Sequence, residues 1–326
     1  MNLHNITQLV QPMMDRYREA YREMARGELS IINEVNSHVT GKDGKQLRPL
    51  LTMLCACCCS ATQSVGEHTP LYEVTASLEM LHNSSLMHDD VVDESDTRRG
   101  QPTVNKLWGN KIAVLMGDYY LSKVMLTLNR INNQKVTDIM SRVALSMSEG
   151  ELIQQQCCGH YDTEPGQYIE IIQRKTAIFL SSCCQLGALM TSDDPAAIDS
   201  LRQYGEALGI AFQMRDDLID YQPTAKTGKP QGNDLKEHKA TLPLIMALRQ
   251  AEGHTKKRIL SLLEMEQYDN ATLEELMDFV CRSGQLEAVG RIMEDYLDQA
   301  SAHLSALPDN KYRDGLQQIV GMLKEI

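Results

Sequence analysis

The pattern Asp-Asp-x-x-Asp occurs twice in this 326-residue chain, at Asp89–Asp93 and at Asp216–Asp220, and each copy closes a mostly apolar stretch. In a helix the first and last aspartates of one copy are i,i+4 neighbours on one face. Like charges at that spacing repel, so the arrangement is unfavourable unless a cation lies between them. Hard carboxylate oxygens with room for water suit Mg²⁺, which often takes further oxygens from substrate phosphates. One copy alone could be a solvated acidic helix end. Two copies, each ending an apolar helix, are poorly explained as surface decoration. If the two helices face each other, their carboxylates can hold several Mg²⁺ around one diphosphate.

The rest of the chain agrees with helices. Apolar residues recur at helical spacing almost throughout, and no alternating strand pattern stands out. The spacing predicts helices over about 5–25, 29–39, 47–61, 68–92, 110–130, 137–158, 166–190, 195–222, 240–252, 271–281, 284–305 and 310–325. Pro49, Pro102, Pro165, Pro230 and Pro243 fall at or near the ends of these elements, where proline is tolerated. The longest polar gap runs from Gln222 to Lys239 and carries Pro223, Gly228, Pro230 and Gly232; loops that long are often functional. Nothing reads as an interdomain linker. The expectation is a single all-α domain over 1–326, a large helical bundle with its site in a central cavity.

Charge narrows the partners. The formal net charge is −12, which argues against nucleic-acid binding. An acidic protein that takes anionic diphosphates needs local cations. The candidates are Lys45 and Arg48 in Gly44–Pro49, the pair Arg98-Arg99 before Gly100, Lys175 before Thr176, and Lys229 and Lys239 beside the polar gap. Arginine forks and lysine point charges are what phosphate oxygens require. Any one of them alone reads as surface charge; their order around the two acidic clusters gives them weight. His82 lies seven residues before Asp89, near the same helix face, and is either a satisfied core histidine or a ligand beside the cluster.

The chain starts without a basic, then apolar, leader, and no apolar stretch is long enough to span a bilayer, so a soluble cytoplasmic protein is expected. The nine cysteines are odd in number and often adjacent, a poor basis for disulfides. Cys55 and Cys58 form a Cys-x-x-Cys with no second one to complete a zinc site. Free cysteines serving as small buried residues in a reducing compartment are the expectation.

Taken in order, these residues resemble the trans-prenyl diphosphate synthases, over most of the chain. The segments are Asp43-Gly44-Lys45-Gln46-Leu47-Arg48-Pro49, the run DDVVDESDTRRG from Asp89 to Gly100, Lys175-Thr176, FQMRDDLID from Phe212 to Asp220, and GKPQGNDLKEHKATLP from Gly228 to Pro243. Asp43 stands where the family pattern has glycine and Gln46 where it has arginine, which affects the shape of that loop.

The resemblance implies roles. Asp89, Asp93 and Asp216 would ligate Mg²⁺, supported by Asp90, Asp217 and Asp220. Arg98, Lys175 and Lys229 would hold an allylic diphosphate, with Lys239 a further substrate-binding candidate. Lys45, Arg48, His82 and Arg99 would hold isopentenyl diphosphate. Thr176 and Gln213 would border the reacting carbons. A homodimer is implied, with transient membrane contact on product release. In short-chain members an aromatic residue at the fourth or fifth position before the first motif blocks the product tunnel. Here those positions are Ser85 and Ser84. Ser77, Leu81 and Ser84 form a stripe along one flank of the helix, so a long-chain product is expected, with Leu81, Tyr119, Tyr120 or Met125 as a deeper floor. Small residues that merely permit close helix packing are the other explanation of that stripe.

The competing readings are a short-chain farnesyl or geranylgeranyl synthase, a class I terpene cyclase, a regulatory synthase subunit, and a helical metal-dependent phosphohydrolase. The second diphosphate cations argue against the cyclase. The presence of both clusters argues against the subunit. The lack of a histidine set argues against the phosphohydrolase.

Overall fold

The computed structural model of the protein describes residues 3–41, 44, 46–62, 65–66, 69–98, 100–222 and 231–325. Lys45, Arg99 and Lys229 lie outside the described residues. The chain begins with α1 (Leu3–Gln8), α2 (Gln11–Ala25), α3 (Ser30–Thr40), α4 (Leu47–Cys59) and α5 (Leu71–Val92). A two-residue hairpin follows, β1 (Thr97–Arg98) and β2 (Gln101–Pro102), then α6 (Val104–Trp108), α7 (Asn110–Ile131) and α8 (Gln134–Cys157). Next come α9 (Pro165–Ile172), a π-turn (Gln173–Ala177), α10 (Ile178–Leu189) and α11 (Pro195–Asp220). The remaining helices are α12 (Asn233–Lys236), α13 (Leu242–Gln250), α14 (Gly253–Leu263), α15 (Asn270–Arg282), α16 (Gln285–Ser305) and α17 (Lys311–Lys324).

The fold is all-α, as the periodicity predicts. Four details differ. The expectation of no strands is corrected by the small antiparallel hairpin, in which Arg98 pairs with Gln101 and Gly100 turns at φ 73°. The helix expected over 5–25 breaks at Leu9 and Val10. The helix expected over 166–190 contains the π-turn. Helices α6, α12 and α14 were not predicted; α14 buries only Ile259 and Leu263 among its residues, too few apolar positions to signal a period.

Two compact units assemble from interleaved segments: Met1–Ala144 with Ser182–Asp199 and Leu307–Leu316, and Leu145–Ser181 with Ser200–Ala306 and Gln317–Ile326. In the first, α5 packs against α2, α4 and α7. Its early turns bury Leu71, Val74, Ala76, Leu78, Met80 and Leu81, so the helix is apolar nearly all round until its last turns. It stops where the Asp93 N–H donates to Asp89 O at 2.8 Å and Glu94 turns left-handed at φ 49°. In the second unit, α13, α14 and α15 close a core that includes Leu244, Leu248, Ile259, Leu263, Leu276 and Val280. Proline opens α9 and α13 in their first turns, where its missing N–H is not needed.

Among the described residues no helix is long and apolar enough to cross a membrane. All nine cysteines are free. Cys55, Cys57, Cys58, Cys183 and Cys184 are buried, Cys59 and Cys157 are half-buried, and Cys158 and Cys281 are exposed, so only part of the set serves as core.

Candidate active site

In the first unit the acidic cluster sits at the C-terminal end of α5. The negative end of a helix dipole is an unfavourable place for three carboxylates, so cations must compensate. The structure supplies one. Asp90, 4% exposed, accepts the Arg98 Nε–H at 2.8 Å. Burial pushes the Asp90 carboxyl above its usual range, and Arg98 opposes that. Asn105 Nδ2 donates to Asp90 O and Ser95 O at 3.2 and 3.1 Å, tying down the segment after the helix. Asp89 and Asp93 are half-buried and lie one turn apart. The run of aspartates thus divides: Asp90 faces an arginine, while Asp89 and Asp93 keep solvent access, which fits hard oxygen donors that share Mg²⁺ with water and phosphate.

The other candidates of this unit are on or beside the same helices. His82 is buried at 7% exposure, and Ser85 Oγ donates to its carbonyl at 2.9 Å. Arg48 lies in the first turn of α4, which starts at Gln46 in a left-handed conformation, φ 46°. The Gln46 side-chain oxygen accepts from Arg18 at 3.2 and 2.8 Å, so the residue that departs from the family pattern fastens α4 to α2. Leu81 and Ser84 are buried, and Ser84 Oγ donates to Gly117 O of α7 at 2.8 Å. At Ser84, then, a small side chain serves close packing of two helices. Tyr120 is fully buried and donates to Asn36 Oδ1 at 2.9 Å; Tyr119 donates to Arg26 O at 3.0 Å. Met125, offered as a buried floor, is 68% exposed and is ruled out in that role, because its place on α7 faces outward.

In the second unit the other cluster ends α11, and its three aspartates also divide. Asp216 is exposed. Asp217 is buried; its Oδ2 accepts from Tyr168 Oη at 2.6 Å and its Oδ1 from Gln213 Nε2 at 2.9 Å. Burial pushes Asp217 up to about 7, with Tyr168 and Gln213 pulling the other way. Asp220 caps α12: its two oxygens accept the backbone N–H groups of Asn233 and Asp234, each at 3.1 Å. Asp234, which lies in the Gly228–Pro243 segment but was given no role, is pushed up to about 8 by burial and by Asp217 and Asp220, against the pull of Lys239. Its sequence signal is its place in that segment, five residues before Lys239.

Lys175 and Thr176 lie in the π-turn. Such one-turn irregularities re-aim side chains and are frequent at functional sites. Two glycines let neighbouring helices reach it. A Cβ on Gly150 of α8 would meet the Lys175 N at 2.9 Å, and one on Gly209 of α11 would meet the Ala177 Cα at 2.6 Å. The residues just beyond them make the contacts. Glu151 forms an ion pair with Lys175, and Gln154 Oε1 accepts from the same Nζ at 3.4 Å. Burial works to raise the Glu151 carboxyl, but Lys175 and Lys239 hold it below its usual range. Gln213, one turn on from Gly209, accepts at Oε1 from Thr176 Oγ1 at 3.0 Å. Lys239 follows His238, whose backbone is left-handed at φ 54° and whose ring Nδ1 lies 3.2 Å from Tyr161 Oη and 3.0 Å from Tyr268 Oη. Glu151 and Tyr168 carry no motif and were missed; His238 lies in the Gly228–Pro243 segment but was given no role there.

Among the described residues no three carboxylate, histidine or cysteine side chains gather as a metal cage. In each unit the acidic helix end keeps solvent-accessible carboxylates, Asp89 and Asp93 in the first and Asp216 in the second, and such hard oxygen donors fit Mg²⁺ better than a soft metal.

Carboxylates fit for hard cations, lysines fit for phosphate oxygens, and hydroxyl and amide dipoles suit chemistry in which a diphosphate leaves and a carbocation is guarded. That is the class of helical prenyltransferases. Residues 29–280 match the polyprenyl synthetase family, and the chain belongs to it. It is 32% identical over 318 residues to the octaprenyl diphosphate synthase of Escherichia coli strain K12, covering 97% of this chain and 96% of that one. It is 34% identical over 290 residues to an all-trans-nonaprenyl-diphosphate synthase (geranyl-diphosphate specific) of Rhodobacter capsulatus, covering 89% and 87%. The crystal structure of a decaprenyl diphosphate synthase from Rhodobacter capsulatus superposes with a TM-score of 0.92 at 31% identity, covering 99% of each chain. A polyprenyl synthase from Caulobacter crescentus CB15, solved with calcium and isoprenyl diphosphate, gives 0.91 at 29% identity, covering 100% and 98%.

Proposed function

We propose that the chain condenses isopentenyl diphosphate with an allylic prenyl diphosphate and makes a long all-trans polyprenyl diphosphate, using Mg²⁺. The observation that carries this is the π-turn, which sets Lys175 beside a Thr176 hydroxyl whose proton is already given to Gln213. The octaprenyl, nonaprenyl and decaprenyl activities named for its relatives support the long product.

Lys175, Lys239 and Arg98, with Lys229, would hold the allylic diphosphate. Arg48, His82, Lys45 and Arg99 would hold isopentenyl diphosphate. Asp89, Asp93 and Asp216 would hold Mg²⁺, which supplies positive charge for the departing diphosphate. The allylic C–O bond breaks and its electron pair leaves with the diphosphate. The double bond of isopentenyl diphosphate then supplies the pair for the new C–C bond. A proton leaves the adduct, and the freed diphosphate accepts it. The Thr176 oxygen and the Gln213 amide offer lone-pair density beside the cation. Apolar walls keep water away.

Incubation with isopentenyl diphosphate, farnesyl diphosphate and Mg²⁺ should yield chains in the hexaprenyl-to-decaprenyl range, sized by chromatography. Products that stop at farnesyl or geranylgeranyl length would refute the long-chain reading; no elongation at all would refute the condensation.

A homodimer is part of the proposal. On α7, Leu115 and Leu126 are 62% and 67% exposed, an apolar surface a second copy could cover. Leu126→Glu should sediment as a monomer where the parent is a dimer; an unchanged sedimentation coefficient would discount that surface. The free cysteines support a cytoplasmic location.

A further inference from the structure

A chain of three hydrogen bonds runs through the second unit. Tyr168 Oη lies 2.6 Å from Asp217 Oδ2, Gln213 Nε2 lies 2.9 Å from Asp217 Oδ1, and Thr176 Oγ1 lies 3.0 Å from Gln213 Oε1. Chemistry fixes its direction. Both Asp217 oxygens serve as acceptors, Oδ2 from Tyr168 and Oδ1 from Gln213, so the Gln213 amide turns its NH₂ to Asp217 and its oxygen to Thr176. An amide oxygen only accepts, so Thr176 must donate its single proton there. The Thr176 oxygen is then left with lone pairs alone for anything else it meets. Reversing the amide would leave Thr176 free to present its proton instead, which repels a carbocation.

The outer end of the chain is what holds Asp217. Tyr168 is 4% exposed, and its 2.6 Å bond is in the short range of hydroxyl-to-carboxylate contacts. It comes from α9, seven residues before Lys175, on the far side of the π-turn. Two segments that must keep their relation for Lys175 and Thr176 to work are thereby joined: α9 through Tyr168 and α11 through Asp217 and Gln213. A tyrosine that merely filled space would not need its hydroxyl on the carboxylate that orients Gln213.

We infer that Tyr168 is a positioning residue for the prenyl transfer, fixing through Asp217 and Gln213 which face of the Thr176 hydroxyl meets the reacting carbons. This rests on the reading of Thr176 as a neighbour of those carbons.

The test is a double-mutant cycle on the full chain, with kcat and both KM values measured and folding followed by thermal melting. Thr176→Val tests the underlying reading by itself: an unchanged kcat would remove Thr176 from the reaction and leave Tyr168 nothing to position. Given a loss there, Tyr168→Phe should lower kcat about tenfold while both KM values stay within about twofold, as a lost transition-state interaction does. Tyr168→Phe in the Thr176→Val background should add nothing. Multiplying losses, or a Tyr168→Phe enzyme with full kcat, would overturn the inference while leaving the condensation intact. Asp217→Leu cuts the same chain one link further on and answers the question if Tyr168→Phe folds poorly. Its kcat loss should also vanish on the Thr176→Val background, and a loss that persists there counts against the relay.

Discussion

Asp90 and Arg98 are joined by an Nε–H···Oδ1 bond of 2.8 Å at the end of α5, although the motif presents Asp90 as the twin of Asp89. We expect Asp90→Asn to release Arg98 rather than a metal ion. The KM for the allylic primer should rise roughly tenfold, in keeping with one lost charge-assisted bond of about 1.5 kcal/mol. The Mg²⁺ concentration for half-maximal rate should stay within about twofold. A shifted Mg²⁺ requirement with an unchanged primer KM would make Asp90 a ligand after all.

Asp89 and Asp216 keep the solvent access that Asp90 and Asp217 lack. Asp89→Ala or Asp216→Ala should abolish condensation with the melting temperature held or raised, since each relieves like charge at a helix C-terminus. Excess EDTA should do the same to the parent enzyme, reversibly on adding Mg²⁺. Near-normal turnover in either variant, or with EDTA present, would sink the metal assignment.

The buried acids of the second unit make stability depend on pH. Asp217 and Asp234 stand at about 7 and about 8, above the usual 3.8. A raised folded-state value means the folded protein holds protons that the unfolded chain has released. That stabilisation is full below about 4 and is lost as pH rises through 7 and 8. The metal-free protein should therefore lose melting temperature across that window. Asp217→Asn carries no charge to bury, so its melting temperature relative to the parent should be higher at pH 8.5 than at pH 5. A difference that does not change with pH would show that Asp217 titrates normally.

Ser84 and Ser85 are neighbours with different surroundings. Ser84 is buried on Gly117 O, whereas Ser85 is half-buried and bonds within its own helix. Ser84→Tyr must push α7 aside, and overpacking of that kind costs about 1–3 kcal/mol or more. It should melt several degrees lower. Ser85→Tyr should leave the melting temperature nearly unchanged and shorten the product towards geranylgeranyl or farnesyl length. If Ser85→Tyr leaves the product distribution untouched while Ser84→Tyr shortens it in folded protein, the tunnel wall lies at Ser84 instead.

The helices and the two acidic helix ends were legible because both rest on spacing, and spacing survives in a linear string. Asp89 and Asp216 could be placed from that alone. What spacing does not carry is which of two adjacent aspartates turns inward: Asp90 and Asp217 are buried because Arg98 and Tyr168 meet them, and Tyr168 is 49 residues from its partner. Glu151 is hidden for the same reason, 24 residues from Lys175 on another helix. The π-turn left no trace because the apolar residues on either side of it still recur at helical intervals. Helix α14 escaped because its surface face outnumbers its two buried positions.

The π-turn also makes chain length, as distinct from residue identity, a determinant of the site. It holds one more residue than an α-helical turn, so α9 and α10 are out of phase with each other. Each residue of an α-helix advances the face by about 100° and the axis by about 1.5 Å. Removing any single residue from Gln173–Ala177 would let the backbone relax into an unbroken helix and swing α9 round by about that angle. Tyr168 would then point away from Asp217 with every side chain chemically unaltered. Point substitutions across α9 and α10 probe only the chemistry of these helices. A one-residue deletion probes their timing, and a helical wheel drawn straight through 165–189 assigns the wrong face to one half of it.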